Sequence, residues 1–149
     1  MSGSSFSDSG TLVLDASAAL EVILRKDGAK RFIDRIFLAK KVCSTELFRA
    51  ETANALAKYA KGGFLSKEKC LEALSLADGM VDEYCPIREN ETEACSEAIR
   101  MEHSVYDLLY MTLARRQGAM LLTCDQKLAN LCKREGVPVV LNIAPGIDG

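Results

Sequence analysis

The sequence predicts an α/β fold in which a parallel sheet is covered by helices on both faces. Two observations carry that expectation. Stretches with strand character alternate with stretches of helical periodicity from Thr11 to Leu141. The strand-like stretches are also apolar throughout instead of alternating apolar and polar, as in strands buried on both sides. Composition sets the size: 149 residues, 48% hydrophobic and 27% charged, fit one soluble domain that buries roughly two thirds of its unfolded surface.

Taken in order, Thr11–Leu14 (TLVL) reads as a short buried strand, ended by Asp15. ASAALEVILRK then reads as a helix stopped near Gly28. Residues 29–40 form a second helical piece, with Phe32, Ile33, Ile36 and Phe37 on one face. A short strand at Val42–Cys43 precedes a Ser44-Thr45 cap site. Residues 46–61 are strongly helical, with an apolar stripe of Phe48, Thr52, Ala55, Leu56 and Tyr59, and end at Gly62-Gly63. Glu51 lies roughly 80° from the centre of that stripe, at its margin, with Asn54 beside it. Ser66 caps the next helix, whose inner face is Cys70, Ala73, Leu74, Ala77, Met80 and Val81. Residues 83–87 read as a short strand whose Pro86 suits a sheet edge. A helix over 90–101 turns Ala94, Cys95, Ala98 and Ile99 inward, and Ser104 opens another that stops near Gly118. A strand over 119–124, a helix over 125–135 and a strand over 137–141 complete the chain.

Several classes are disfavoured. No apolar run approaches the ~20 residues needed to cross a bilayer. The first ten residues, MSGSSFSDSG, lack the basic start and apolar middle of a signal peptide. The expected organisation is a flexible tail over 1–10, one domain over 11–142 and a second tail over 143–149, in a cytoplasmic protein. The six cysteines (43, 70, 85, 95, 124 and 132) form no C-x-x-C pair, which argues against a zinc site and a secreted disulfide framework and for free thiols. With one histidine, His103, histidine-based nucleophilic catalysis is disfavoured, and carboxylates are left to do any chemistry. A net charge of −2 means that a nucleic-acid partner has to be met by a local basic patch or through metal.

Four acids stand out. Asp15 and Asp125 each follow an apolar strand and precede a helix, the position at which open α/β sheets bind ligands. Helix capping explains either one alone, since Asp is a favoured N-cap. Asp107 completes Ser104-x-x-Asp107, similar to a capping box, yet sits among Tyr106, Leu108, Leu109 and Tyr110. A carboxylate buried there is costly without a partner. Glu51, taken alone, reads as a solvated helix residue paired with Lys58 or Arg49. Together the four are an all-oxygen donor set, which selects a hard cation such as Mg²⁺ or Mn²⁺. Such a site suits attack of water on a phosphodiester, and equally a phosphatase.

The motifs LVLDASA, ETANAL, SVYDLLYMTLAR and LLTCD, in that order and in those strand and helix settings, resemble the PIN-domain ribonucleases. The likeness is greatest to VapC-type toxins of bacterial and archaeal toxin–antitoxin pairs. It runs from about Thr11 to Leu141. The resemblance implies a three-layer α/β/α domain with a central five-stranded parallel sheet. It implies an acidic site of Asp15, Glu51, Asp107 and Asp125 that binds Mg²⁺ or Mn²⁺ and cuts RNA. Ser17 and Thr123 are then supporting hydroxyls, and Asn54 a partner of Glu51. A homodimer and inhibition by a small antitoxin are further family properties. Leu108 replaces the small residue that many relatives have after the third acid, and Gln126, Lys127 and Leu128 replace a basic and an aromatic residue after the last; both departures bear on RNA preference.

Arg115, Arg116, Lys127, Lys58 and Lys61 are candidate phosphate contacts, and Tyr106, Tyr110 and Tyr59 candidate base-stacking residues or core. The alternatives are a PIN-like binding module without activity, an RNA-processing nuclease unrelated to toxins, and a haloacid-dehalogenase-type phosphatase. The last needs an Asp-x-Asp that Asp15-Ala16-Ser17 lacks.

Overall fold

The computed structural model describes residues 9–142. The expected tails lie outside the described residues, except for Ser9 and Gly10. Gly10 is part of the fold: its carbonyl accepts from the Lys40 and Lys41 amides at 2.7 and 3.2 Å.

Five strands, β1 (Thr11–Leu14), β2 (Lys41–Thr45), β3 (Glu83–Cys85), β4 (Met120–Thr123) and β5 (Val139–Leu141), form one parallel sheet in the order β3-β2-β1-β4-β5. The helices are α1 (Ala16–Ile23), α2 (Ala29–Leu38), α3 (Leu47–Lys61), α4 (Lys67–Gly79), α5 (Glu91–Met101), α6 (Val105–Gln117) and α7 (Gln126–Arg134), with a 3₁₀ turn at Ile87–Glu89. From β1 the chain steps outward to β2 and β3, then returns across the sheet to β4 and β5. Right-handed crossovers put α1–α4 on one face and α5–α7 on the other, giving three layers. The three inner strands are almost fully buried, with Val13, Leu14, Cys43, Leu121 and Leu122 at zero exposure. Between β1 and β4 the strand order reverses, and a crevice opens at their carboxyl ends.

Helix α6 is the inner helix of its layer. It packs against β1, β2 and β4, and residues 108–114 are all buried. Leu108 is fully buried there, beside a site acid. Buried Asn90 fixes this helix laterally: its Nδ2 donates to the Leu109 carbonyl at 3.0 Å and to Thr112 Oγ1 at 2.9 Å. Gly118 ends α6 at φ 60, a left-handed turn that a side chain would strain.

The structure corrects several local expectations. Strand β2 extends through Ser44 and Thr45. Ser44 Oγ donates to the Leu14 carbonyl across the sheet at 2.6 Å, while Thr45 Oγ1 still accepts from the Leu47 amide as a cap. Helix α1 stops at Ile23, five residues before Gly28, and Arg25 turns the chain with φ 53. On α2 only Phe32 of the expected face is buried, and Phe37 is 87% exposed. Helix α2 packs mainly on α1 and meets the core along one narrow line. Likewise α5 touches α6 through Ala94 and Ala98, leaving Cys95 and Ile99 outside. Strand β3 is shorter than expected, because Pro86 begins the 3₁₀ turn. All six cysteines are free thiols. Among the described residues no helix is long and apolar enough to cross a membrane.

Candidate active site

A cavity of about 470 Å³ lies at the carboxyl ends of β1 and β4 and is lined by Asp15, Glu51, Asp107 and Asp125 together. Four elements deliver them. Asp15 leaves β1 as the N-cap of α1, its Oδ1 accepting from the Ala18 amide at 2.9 Å. Asp125 leaves β4 as the N-cap of α7 and accepts from the Lys127 amide at 2.9 Å. Both acids therefore cap helices and face the cavity at once. Glu51 reaches in from the middle of α3, and Asp107 from the first turn of α6.

Asp15 is 5% exposed and is held by hydroxyls on two elements. Ser17 Oγ donates to its Oδ1 at 2.7 Å, and Thr123 Oγ1 donates to its Oδ2. Each hydroxyl also accepts from the backbone past β4: Ser17 Oγ from the Cys124 amide and Thr123 Oγ1 from the Asp125 amide, both at 2.9 Å. Thr123 thus spaces the first and last acids of the site. Burial pushes the Asp15 carboxyl up to about 6 in spite of these donors, and Glu51 adds to the rise.

Glu51 accepts a hydrogen bond from Tyr110 Oη at 2.8 Å, and not a salt bridge from Lys58 or Arg49. Arg49 instead lies near Glu46 and Asp78. Burial raises the Glu51 carboxyl, Tyr110 counters this, and the charges of Asp107 and Asp125 raise it further. Asp107 is raised by burial and by Asp125, and lowered by His103 and Lys127. The capping box at Ser104 does not close: Ser104 Oγ accepts from the Tyr106 amide at 3.1 Å, while the Ser104 amide donates to His103 Nδ1 at 3.0 Å. Asp107 Oδ2 stands 3.4 Å from the same Nδ1. A nitrogen that accepts from Ser104 has no hydrogen for Asp107 in the neutral ring, so that contact is electrostatic. Asn54 lines the cavity next to Glu51, which is bonded to Tyr110 instead.

The acids repel one another across a shared space, and like charges in such a setting call for a cation. Lys26 and Lys58 line the same cavity, and Lys26 Nζ donates to Tyr59 Oη at 2.8 Å. Among the described residues, however, no group of three His, Cys, Asp or Glu side chains stands close enough to hold an ion as it is. Three of the four acids are bonded to the protein, Asp15 to Ser17 and Thr123, Glu51 to Tyr110 and Asp125 to the start of α7, while Asp107 has His103 beside it. The donor set fits a hard divalent cation.

Residues 12–134, which contain all four acids, match the PIN domain. The chain belongs to the PIN domain family. It is 27% identical over 123 residues to Ribonuclease VapC3 of Pyrobaculum aerophilum, across 79% of this chain and 92% of that protein. Its fold resembles the crystal structure of PAE2754 from Pyrobaculum aerophilum, with a TM-score of 0.66 and 23% identity over 87% of this chain and 89% of that one. It also resembles VapBC2 from Rickettsia felis, solved bound to a DNA fragment from their promoter, with a TM-score of 0.61 and 15% identity over 89% and 98% of the two chains. At those identities the two structures speak for the fold alone.

Sequence reasoning missed two lining groups of this PIN domain, Glu21 and Lys26, and, for Tyr110, which it named as a base-stacking or core residue, the bond to Glu51. Glu21, 5% exposed, accepts from the Gly28 amide at 2.7 Å and from Asn142 Nδ2 at 3.5 Å. Its i+4 spacing from Ser17 was the available signal. Tyr110, three residues after Asp107, is the partner of Glu51 and not a base platform. Lys26 lies past the end of α1, and its pairing with Tyr59 spans 33 positions of sequence. Arg115 and Arg116 are removed from the RNA-contact candidates, because Glu93 and Glu97 take both guanidinium groups in ion pairs.

Proposed function

We propose that this PIN domain is a divalent-metal-dependent endoribonuclease acting in the cytoplasm as the toxin of a toxin–antitoxin pair. The observation that carries this reading is the meeting of Asp15, Glu51, Asp107 and Asp125 in one cavity where the strand order reverses. The name of the relative Ribonuclease VapC3 supports the activity, and that of the VapBC2 complex supports an antitoxin partner. A homodimer is the expected assembly.

The four carboxylates would hold Mg²⁺ or Mn²⁺, which when bound activates water and stabilises charge on the phosphoryl oxygens. The chain's own contribution is preparation. Ser17 and Thr123 fix the Asp15 carboxylate so that its oxygens face the cavity in one orientation. Tyr110 holds Glu51 from α6, coupling the acid on α3 to the helix that carries Asp107. Asp107 and Asp125 lie beside Lys127 and the N-terminus of α7. Lys58 and the Lys26–Tyr59 pair border the acids on the α3 side, where a nucleotide next to the cut would lie.

One observation favours a second reading, a PIN domain that binds RNA or protein without cutting: among the described residues no three carboxylates form a closed group. Incubation of the purified chain with a mixed RNA pool separates the two. Metal-dependent cutting that EDTA stops and Asp107→Asn abolishes is expected. Cutting that persists unchanged in Asp107→Asn belongs to a contaminant, and metal-independent binding without cutting selects the second reading.

A further inference from the structure

Beside the acidic cavity, on the Asp107 side, lies a shallow depression of about 290 Å³ lined by His103, Lys127, Asn130, Leu131 and Arg134. Four of these residues share one face of α7, and buried Leu131 forms the floor. His103 arrives from the turn between α5 and α6. No carboxylate lines the depression.

Its cations are only loosely countered, with Asp107 near Lys127 and His103, and Glu135 at the limit of reach of Arg134. Among the described residues Lys127 has no ion-pair partner within 4.0 Å. Arg134 is approached only by Glu135, at 4.0 Å, and Glu135 is already bonded by Arg100 at 3.0 Å. Because His103 Nδ1 accepts from the Ser104 amide, the hydrogen of the neutral ring sits on Nε2, which has no protein partner among the described residues. Asn130 Oδ1 is taken by Gln126, so no free side-chain oxygen opposes an anion there. Arg115 and Arg116, one helix away, are by contrast fully engaged by glutamates.

We infer that this depression binds the phosphate next to the one that is cut, on a single strand of RNA. The inference rests on the proposed nuclease reading and names the residues that grip its substrate. A cavity lined by four acids and only two lysines, on a chain of net charge −2, draws a polyanion weakly by its own charge, so cations beside it would help to hold neighbouring phosphates. The depression adjoins the cavity through two direct links: His103 Nδ1 lies 3.4 Å from Asp107, and the Lys127 amide bonds Asp125. Arg134 supplies a planar fork for phosphate oxygens, Lys127 a point charge and His103 an N–H donor.

The test uses the full chain carrying Asp15→Asn, so that RNA is bound but not cut. Binding of a labelled mixed-sequence 20-nucleotide single-stranded RNA is followed by anisotropy between about 50 and 200 mM salt. Lys127→Ala and Arg134→Ala each lower the slope of log affinity against log salt by about 0.7, and together by about 1.4. His103→Ala weakens binding. Arg116→Ala and Lys67→Ala leave both unchanged, and melting curves show that every variant is folded. A double variant with the slope of its parent overturns the subsite, as does a parent that binds no RNA. If the subsite fails while the unsubstituted chain still cuts RNA in an Asp107-dependent way, the nuclease reading stands. If the slope falls as expected but the unsubstituted chain cuts nothing, the depression binds RNA phosphate, and both the nuclease reading and the subsite's place next to a cut fail.

Discussion

Asp15 carries three donors and is still raised to about 6, because its burial outweighs them. That imbalance has a consequence for the metal-free chain. An acid whose folded pKa lies above its unfolded value of 3.8 leaves the folded chain holding more protons between those two values. Its contribution to stability is therefore largest at low pH and is lost as pH rises through about 6. Glu51 and Asp107 are shifted in the same direction. Moving metal-free protein from pH 7 to pH 5 should raise its stability, with about 1 kcal/mol from Asp15 alone; denaturant melts at the two pH values check this, and a fall would count against it. Thr123→Val removes a donor to Asp15 and the acceptor for the Asp125 amide. It should cost about 2 kcal/mol at pH 7 and less at pH 5, where Asp15 is largely protonated. The motif around Thr123 and Asp125 was readable in the sequence because strand, hydroxyl and cap follow one another locally. The Tyr110–Glu51 bond, 59 positions apart, was not.

Helix α6 shows what could and could not be read at the level of an element. Its start at Ser104, its stop at Gly118 and its buried character follow from the local sequence. Its lateral anchor is Asn90, which looks like an ordinary helix-start residue until Leu109 and Thr112 are folded against it. Asn90→Ala should cost roughly 2 kcal/mol by leaving the Leu109 carbonyl and Thr112 hydroxyl short of a donor. It should also lower RNA cutting, since α6 holds both Asp107 and Tyr110, and activity per folded molecule reads that out. The faces of α2 and α5 were misread for a related reason. Periodicity marks which residues share a face, but the width of the buried stripe depends on how many neighbours the helix meets, and these two meet few. The arginines of α6 were overvalued as RNA contacts because Glu93 and Glu97 lie on a different helix. Arg116→Ala should shift stability by no more than about 1 kcal/mol, as for other exposed ion pairs.

The sheet order makes a site out of four separated acids. Asp15 and Asp125 end adjacent strands, β1 and β4, at the reversal point, while α3 and α6 come from opposite layers and bring Glu51 and Asp107 to the same opening. The sequence contained the alternation that predicts this sheet and the four short motifs that resemble the family. It did not contain how the acids sit in the fold, with Glu51 bonded to Tyr110 and no three candidate ligands among the described residues grouped closely enough to hold an ion. Binding of Mn²⁺ should therefore stabilise the chain at pH 7 and do so less at pH 5, where protons compete for the same carboxylates. Calorimetric titration of Mn²⁺ into the unsubstituted chain and into Asp15→Asn, Glu51→Gln, Asp107→Asn and Asp125→Asn asks whether the four act as one site. A common site predicts that every substitution weakens binding by about tenfold or more; unchanged Mn²⁺ affinity in the Asp107→Asn or Asp125→Asn chain would contradict it.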